Sequence, residues 1–525
     1  MPKSITHKVG LASIIMMISI FLSRVIGLFR EQVIAYIKGA GGDVDAYLIA
    51  FIIPEILNHM LASGFLSVTF IPIFSKYIAE NNEDEGWKVF SNILNAFGII
   101  LIILVVISEL FTPQLVALFT RGVKNPETIR KAVIMTKIIM PAQIFFFTGG
   151  LFMAVQFAKE KFIMPAFAPL IYNAGIIAGG ILLGRKFGME GFAWGVLGGS
   201  FLGNFLIQFI GAKRAGMKYF FVLNFKDKDF IKYIYLTIPL MFGLTMTFST
   251  EIFPKIFGGY LNEGTIASLN YGLRIMLILV ALLGQAIGVA SYPYLSRLAA
   301  EERYTEMNKL FNSTLKFLSI AIPVSMLMIV LRYEIVYILF QRGSFTHENT
   351  LVVSNLLAYL SIGIIAFVSQ TVINRGFYAI QNTIIPALYS TVGVIVSIPI
   401  YYILMQYMGI NGIALGLSIS AIIQVVLLFV LWNKKSNNSG GKDVILFYGK
   451  IILMSIPILV ITYLFHSYII TVFSKRAFLE NLINCCLTGL LFLVTLTVSA
   501  YIFKIEEIIS LGNRIISKFL KKDKT

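Results

Sequence analysis

The chain has 525 residues, of which 58% are hydrophobic and only 13% are charged. A soluble protein carries about 25% charged residues, so the composition excludes an ordinary soluble enzyme. The formal net charge of +17 could indicate nucleic-acid binding. However, the basic residues lie mostly in short loops between apolar stretches, which membrane topology explains better. The sequence therefore predicts a membrane protein that binds no nucleic acid.

Apolar stretches of membrane-spanning length recur along the whole chain. About 20 apolar residues cross a hydrocarbon core of about 30 Å, and inside lipid a helix satisfies all of its own backbone polar groups. We predict an all-α, polytopic membrane protein with about 14 transmembrane helices. In chain order they are helices 1–14, at 9–37, 45–78, 87–111, 128–158, 163–184, 190–212, 229–257, 264–298, 306–331, 348–380, 384–407, 412–432, 446–468 and 480–503.

Lysine and arginine are concentrated at the N-terminus, in every second loop and in the C-terminal tail. Because cytoplasmic loops carry an excess of these residues, both termini are expected on the cytoplasmic side. The basic segment 213–228 is expected to hold a short amphipathic helix on the membrane surface. Cys485 and Cys486 lie in an apolar stretch with no metal-ligand spacing around them, and we interpret them as packing residues.

Three short patterns recur at a constant offset of 221 residues. Matches in one register predict an internal duplication, and a six-helix unit gives a parallel repeat because six is even. The expected parts are an N-lobe of helices 1–6 at 1–215, a C-lobe of helices 7–12 at 216–436, and helices 13 and 14 with a basic cytoplasmic tail at 437–525. The matching pairs are Pro72-x-x-Ser75 with Pro293-x-x-Ser296, Pro165-Ala166 with Pro386-Ala387, and Gly188-x-x-Gly191-x-Ala193-x-Gly195 with Gly409-x-x-Gly412-x-Ala414-x-Gly416.

Charged side chains inside the apolar stretches point to function, because a charge at the bilayer centre is costly. Arg24 in helix 1 is either a cavity-lining anion binder or a structural ion pair with Glu31. Arg30 either lines the cavity or extends to the membrane interface. Arg274, near the middle of helix 8, is interpreted as facing a wet cavity. Asp45 either caps helix 2 or organises the entrance to the cavity.

Helix 2 also carries Glu55, Asn58 and His59 at spacings that place them on one α-helical face. A Glu–His pair inside a membrane could relay protons, since histidine titrates near neutrality. We favour a hydrogen-bonded packing pair instead. Glu251 in helix 7 is either a coupling-ion site or, as we favour, the partner of Lys255 one turn away.

No catalytic constellation is present in the sequence. It contains no Walker A motif, no cluster with metal-ligand spacing and no nucleophile elbow. The sequence therefore predicts a transporter that is not an enzyme and that uses no cofactor and no metal.

Several segments together resemble the MurJ/MviN family of lipid II flippases. They cover most of the chain, and the combination is specific although each segment alone is short. The segments are Ser23-Arg24-Val25-Ile26-Gly27-Leu28-Phe29-Arg30, Asp45-Ala46-Tyr47, Pro165-Ala166-Phe167-Ala168-Pro169 with Asn173, Tyr271-Gly272-Leu273-Arg274, Arg342-Gly343-Ser344-Phe345-Thr346 and Arg375-Gly376-Phe377-Tyr378-Ala379.

The resemblance implies the multidrug/oligosaccharidyl-lipid/polysaccharide exporter superfamily and a location in the bacterial inner membrane. It implies alternating access that carries undecaprenyl-pyrophosphate-linked disaccharide-pentapeptide from the cytoplasmic to the outer leaflet, with membrane lipids and cell-wall synthesis proteins as further partners. Arg24, Arg30, Asp45 and Arg274 correspond to the family's essential cavity charges. The remaining candidates are Glu31, Glu55, Asn58, His59 and Glu251 for accessory or proton-linked roles, and Arg342 and Arg375 for a gate or loop.

The chain departs from the family pattern in helix 2. Asn58 and His59 stand where the family usually has a basic pair, and Ser63 stands where it has an acidic residue. The departures leave two alternatives open: an exporter of another polyprenyl-linked glycan, and a drug/cation antiporter of the same superfamily. An antiporter requires acidic residues deep in its cavity, for which Glu55 and Glu251 are the candidates.

Overall fold

The computed structural model describes residues 3–62, 65–242, 248–382, 384–473 and 477–510. Within these ranges every regular element is a helix. The first half holds α1 Lys3–Lys38, α2 Gly42–Ile49, α3 Ile52–Leu57, α4 Phe65–Ala79, α5 Glu83–Leu110, α6 Thr112–Phe119, α7 Pro126–Ile139, α8 Ala142–Ala158, α9 Ile163–Phe187, α10 Glu190–Ser200, α11 Ile207–Arg214, α12 Lys228–Phe242 and α13 Phe253–Gly258.

The second half holds α14 Thr265–Val280, α15 Ala286–Ala300, α16 Tyr304–Leu318, α17 Ala321–Val330, α18 Arg332–Phe340, α19 His347–Ser361, α20 Ile364–Ala379, α21 Ile384–Met408, α22 Ile410–Lys435, α23 Gly441–Val472 and α24 Phe478–Ile502. Four π-helical turns interrupt the α-helices. They lie at Asn58–Ala62, Phe201–Leu206, Phe248–Ile252 and Ala281–Gln285.

Ten helices within the described ranges are long and apolar enough to cross a membrane. The pair α19 and α20, bent by 47°, makes eleven if it forms one span. The predicted all-α, polytopic class is confirmed. The count of fourteen stays a prediction, because predicted helices 2 and 7 each contain residues outside the described ranges.

Several predicted helices are interrupted where the backbone cannot continue its hydrogen bonding. Helix 4 divides into α7 and α8 at Pro141, and helix 9 divides into α16 and α17 just before Pro323. Proline has no N–H to donate, so a helix ends or bends beside it. Helix 10 bends at Gly363, where an added Cβ would lie 2.8 Å from the Ser418 hydroxyl. The apolar pattern thus predicted the extent of these spans but not their breaks.

The segment expected to form an amphipathic surface helix does not do so. Residues 217–224 have no regular structure. The amide of Asn92 exchanges hydrogen bonds with the backbone of Asn224, and Asn95 donates to the Val222 carbonyl at 2.8 Å. The prediction was wrong because polar side chains on α5 bind this backbone, which removes its need for helical hydrogen bonds.

The contacts group the chain into two compact units, Met1–Ala267 and Ser268–Thr525. We call them unit 1 and unit 2. Unit 1 includes predicted helix 7 and the beginning of helix 8, because Glu55 binds Lys255 and Asp45 binds the backbone of Gly264 and Ala267. The lobes and the final part, divided after 215 and 436, stay a prediction.

Unit 1 contains a close crossing of α9 and α10 that glycines make possible. A Cβ on Gly179 would lie 2.5 Å from the Cα of Gly195, and one on Gly175 would lie 2.5 Å from the Cα of Gly199. Small residues at such spacings let two helix backbones approach closely and gain dispersion contacts. These contacts matter in a membrane because the hydrophobic effect does not favour helix–helix contact over helix–lipid contact. This crossing fixes α9, which carries Asn173 of the candidate site.

Unit 2 attaches its last two helices through an apolar cluster. Ile451, Met454 and Ile458 of α23 and Phe492 and Leu496 of α24 are buried together with Ile322 of α17. Deeper in the unit, Phe311 and Trp432 stack with ring centroids 4.7 Å apart. Helices 13 and 14 are therefore packed parts of unit 2.

The helix bounds of the two halves show the 221-residue offset found in the sequence. Adding 221 to the bounds of Ile163–Phe187 gives those of Ile384–Met408, and adding it to Phe65–Ala79 gives those of Ala286–Ala300. Gly188 and Gly409, also 221 residues apart, have φ/ψ of 60°/−132° and 57°/−131°. These correspondences support the duplication, which stays an inference.

Candidate functional site

Arg30 lies in a polar group formed by α1 and α9 inside unit 1. Its guanidinium donates to the Glu31 carboxylate at 2.5 Å and to the Asn173 side-chain oxygen at 3.1 Å. The Arg30 side chain is 19% exposed and that of Glu31 5% exposed. The buried Nε of Arg30 has no hydrogen-bond partner among the described residues. Arg30 is thus held inside the unit and retains an unsatisfied donor.

Arg24, two turns earlier on α1, is exposed. Spacing along α1 predicts that Glu31 partly compensates Arg24, but in the structure Glu31 pairs with Arg30. Among the described residues Arg24 forms no ion pair. The difference arises because Asn173 fixes Arg30 beside Glu31, a contact that spacing along α1 does not reveal.

Asp45 is buried and hydrogen-bonds the beginning of another helix. Its two carboxylate oxygens accept from the backbone N–H of Gly264 at 2.6 Å and of Ala267 at 2.7 Å. The first N–H groups of a helix have no intrahelical acceptor, and a carboxylate there also interacts favourably with the helix dipole. Asp45 therefore caps α14. It does not cap its own helix, where Gly41 occupies the N-cap position.

The two segments that Asp45 joins fit closely, and we call them the clasp: residues 39–45 and 259–267. Gly264 has φ +83°, and an added Cβ would lie 2.2 Å from the Ala40 carbonyl oxygen. Asn125 donates to the Glu263 carboxylate beside them. A cavity of about 210 Å³, lined in part by Asp45, Asn125 and Glu263, lies at the clasp. The clasp depends on glycine and on two carboxylates.

A third carboxylate of the clasp, that of Asp43, is held by lysines. Asp43 accepts from Lys38 at 3.0 Å and from Lys131 at 2.7 Å. Partial burial alone would raise the pKa of Asp43, but the hydrogen bonds from Lys131 and Lys38 lower it below its usual value. The charged carboxylate of Asp43 therefore connects the end of α1 and the beginning of α7 to the clasp.

Glu55 binds Lys255, the residue that helical spacing predicts as the partner of Glu251. The Glu55 carboxylate accepts from the Lys255 ammonium at 2.9 Å, and the Lys255 side chain is only 7% exposed. Glu251 acts electrostatically on His59. Predicted helices 2 and 7 thus bring Glu55, His59, Glu251 and Lys255 together in unit 1.

Asn58 and His59 occupy the π-helical turn Asn58–Ala62. The α-helical register, on which the common face of Glu55, Asn58 and His59 depended, ends at Leu57. Such π-turns occur frequently at functional sites. Ser63, the second departure from the family pattern, lies outside the described residues.

The remaining predicted arginines lie in unit 2. Arg274 is partly buried in α14, roughly 14 Å along the axis from Thr265. Arg375 on α20 donates to the Gln285 side chain at 3.3 Å, at the π-helical turn of helix 8. Arg342 donates to the Ile338 carbonyl at 3.1 Å and lies over the Phe478 ring at 5.0 Å. Arg375 and Arg342 thus connect neighbouring helices of unit 2.

The sequence does not predict Asn173 as the partner of Arg30 or Lys255 as the partner of Glu55, because neither contact follows from local spacing. It also does not predict a buried pair formed by Glu334 and His466. Glu334, fully buried, lies 3.3 Å from His466 in unit 2. A charged residue directly after an apolar stretch could have indicated Glu334. Among the described residues no group of three or more potential metal ligands occurs.

Comparisons with known proteins identify relatives over most of the chain. A family model described as "Lipid II flippase MurJ" matches residues 34–483. The lipid II flippase MurJ of Burkholderia cenocepacia is 27% identical over 79% of this chain and 82% of its own. A probable lipid II flippase MurJ of Buchnera aphidicola is 25% identical over 90% and 94%. The family match begins after Arg24 and Arg30.

Solved structures with a similar fold include a member of the same family and a transporter of a different family. A lipid II flippase MurJ in an inward closed conformation superposes with a TM-score of 0.76 and 26% identity, covering 93% of this chain and 99% of its own. A transporter of the multidrug resistance MATE family superposes with a TM-score of 0.63 at 13% identity, covering 80% and 96%. At that identity the second likeness shows a shared fold only.

Proposed function

We propose that this chain, which belongs to the lipid II flippase MurJ family, moves lipid II from the cytoplasmic to the outer leaflet of the bacterial inner membrane. The match of the family model over residues 34–483 is the observation that carries the proposal. The family consists of transporters and not of enzymes. The apolar helices and the family together make the chain a multi-pass inner-membrane protein.

The pyrophosphate of the substrate is held by arginines, with Arg30 as the residue that the geometry favours. A guanidinium presents its donors in a planar fork that suits phosphate oxygens, and contacts between opposite charges are stronger than neutral ones. Arg30 is fixed by Glu31 and Asn173 and keeps a buried Nε that a ligand oxygen could satisfy. Arg24 and Arg274 complete the proposed set.

Transport proceeds by alternating access, and the clasp supports this part of the proposal. Asp45 and Glu263 hold segments that belong to different predicted lobes, so separation of those lobes at this end requires their hydrogen bonds to break. With both termini cytoplasmic, the clasp lies at the outer side. An inside-negative potential would favour outward movement of the anionic headgroup by about 2.3 kcal/mol per charge per 100 mV.

Complementation tests the function. The full chain, expressed in a strain depleted of its own lipid II flippase, should restore growth, and Arg30→Ala should not. Arg185→Ala, which removes an exposed arginine from the end of α9, should complement normally. If the wild-type chain reaches the membrane in normal amounts and fails to complement, the substrate is another polyprenyl-linked glycan.

A reconstituted flipping assay tests the arginines. Arg274→Ala should reduce flipping by about tenfold or more, which is the effect of one lost charge-assisted contact. Arg30→Lys retains the charge without the fork and should give an intermediate rate. Flipping at the normal rate in Arg274→Ala would contradict the assignment of that arginine.

An antiporter remains the alternative from sequence. Its deep carboxylate would have to take up and release a coupling ion, yet Glu55 is bound to Lys255 at 2.9 Å. The likeness to MATE structures concerns the fold alone. The ion pair therefore argues against Glu55 as that carboxylate and leaves Glu251 as the antiporter's candidate.

A further inference from the structure

A cavity of about 290 Å³ with both polar and apolar lining residues lies in unit 2, among α18, α19 and α23. Polar lining residues include Arg332, Asn355, His466 and Ser467, and apolar ones include Leu351 and Tyr463. Ligand pockets usually have roughly 300–1,000 Å³, so this cavity suits a small group rather than a whole lipid. None of its lining residues belongs to the candidate site described above.

One residue of the cavity lining, His466, is held by buried neighbours behind the cavity. His466 Nε2 lies 3.3 Å from the fully buried Glu334 carboxylate, and its Nδ1 lies 3.3 Å from the Thr488 hydroxyl. Both ring nitrogens of His466 are therefore engaged within the protein, and neither is offered to a ligand in the cavity.

Arg332 supplies the permanent positive charge in the cavity lining. Its Nη1 donates to the Ile329 carbonyl at 2.8 Å, and its other guanidinium N–H groups have no hydrogen-bond partner among the described residues. Glu334 is two positions away on α18, a spacing at which helical side chains do not face each other. Arg332 thus offers several donors of one positive charge.

Two more donors lie in the same cavity. The Asn355 amide and the Ser467 hydroxyl are exposed there, and neither side chain has a hydrogen-bond partner in the described part of the chain. A guanidinium, an amide and a hydroxyl around one small space suit the oxygens of a phosphate. Such a set is typical of an anion site rather than a cation site.

The rim of the cavity is apolar and exposed. Leu351 is 45% exposed on α19, which reaches membrane length only together with α20, and Tyr463 is 55% exposed on the membrane-length helix α23. Exposed apolar side chains on such helices contact lipid tails, and tyrosine is enriched at headgroup level. A ligand that fills the cavity and extends past this rim into lipid would therefore combine a phosphate group with hydrocarbon chains.

We propose that this cavity binds the phosphodiester headgroup of an anionic membrane phospholipid, with Arg332, Asn355 and Ser467 as its ligands. The site is independent of flipping: a chain that fails to transport lipid II can still bind at this cavity. Net positive charge favours a headgroup such as phosphoglycerol over zwitterionic phosphocholine.

Native mass spectrometry of the full chain in detergent tests the proposal, with dioleoyl phosphatidylglycerol and dioleoyl phosphatidylcholine as probes. The wild-type chain should retain phosphatidylglycerol more strongly than phosphatidylcholine. Arg332→Gln should weaken the phosphatidylglycerol adduct by about tenfold, as expected for one lost charge-assisted contact. Asn355→Leu, at an exposed position, should weaken it without disturbing the fold, which thermal unfolding would verify.

Lys442→Gln is the matched control, because Lys442 is exposed on the same helix α23 and does not line the cavity. It should leave binding unchanged. Equal retention in wild type and Arg332→Gln, or equal retention of the two lipids, would overturn the proposal. Displacement of the lipid by millimolar inorganic phosphate would identify free phosphate as the ligand and overturn the assignment to lipid.

Discussion

At the scale of single residues, the charged side chains of unit 1 are satisfied in different ways. Asp45 is buried against backbone N–H groups, Lys255 against a carboxylate, and Arg30 against Glu31 and Asn173 with one donor left over. A buried charge without partners costs far more than any contact here supplies. The leftover donor of Arg30 is therefore the feature that most favours ligand binding.

Replacement of Asp45 by alanine should destabilise the protein, because two buried N–H groups lose a charged acceptor. We expect a loss of about 3 kcal/mol, measured as a lower midpoint of thermal unfolding in detergent. Asp84→Ala, which removes an exposed carboxylate paired with Lys218, should change the midpoint little. Similar midpoints for the two variants would show that the cap contributes nothing to stability.

At the scale of elements, glycine decides where helices can meet or end. The α9–α10 crossing has no room for side chains at Gly175, Gly179 and Gly195. The ends of α9 and α21 use a backbone conformation that other residues rarely adopt. The sequence contained all of these glycines, but only the structure separates those at contacts from those facing open space.

Gly195→Ala should destabilise the α9–α10 crossing, since the new Cβ would lie 2.6 Å from the Gly175 carbonyl oxygen. We expect a loss of about 1–3 kcal/mol. Gly198→Ala on the same helix meets nothing within 4 Å and should stabilise it by about 0.5–1 kcal/mol. Thermal unfolding of both variants measures the difference, and opposite signs are the expected outcome.

Gly409→Ala isolates the cost of backbone conformation. A Cβ there meets nothing within 4 Å, but φ is +57°. We expect a loss of about 1–3 kcal/mol from strain alone. Gly449→Ala also meets nothing within 4 Å and has no positive φ, so it should not destabilise. Equal thermal midpoints would show that the backbone relaxes at no cost.

At the scale of the whole molecule, the proposed transport cycle requires the clasp to open and close. The clasp joins segments more than 200 residues apart in sequence through Asp45 and Gly264, and the Asn125–Glu263 hydrogen bond beside it links a further part of the predicted N-lobe to the same segment. The hydrogen bonds of the clasp are local contacts, whereas the proposed movement that breaks them involves entire lobes. A covalent link across the clasp therefore tests the cycle directly.

Cysteines at positions 125 and 263, in a chain with Cys485 and Cys486 replaced by serine, should be bridged by a short bis-methanethiosulfonate cross-linker, because the native side chains reach each other and hydrogen-bond. Cross-linking should abolish flipping in a reconstituted assay, and reduction, which removes the cross-linker, should restore it. Each single-cysteine variant should flip normally after the same treatment. Undiminished flipping by the cross-linked protein would exclude opening of the clasp as a step of transport.

The sequence by itself determined the all-α membrane class, the approximate spans and the family, because apolar length and specific motifs are properties of local segments. It also located the arginines of helices 1 and 8. Only the tertiary structure decided the partners: Glu31 with Arg30, Lys255 with Glu55, and Asp45 with the beginning of α14. Each of the last two joins residues about 200 or more positions apart, and the first depends on Asn173 from another helix. Local periodicity carries no information on such distant contacts.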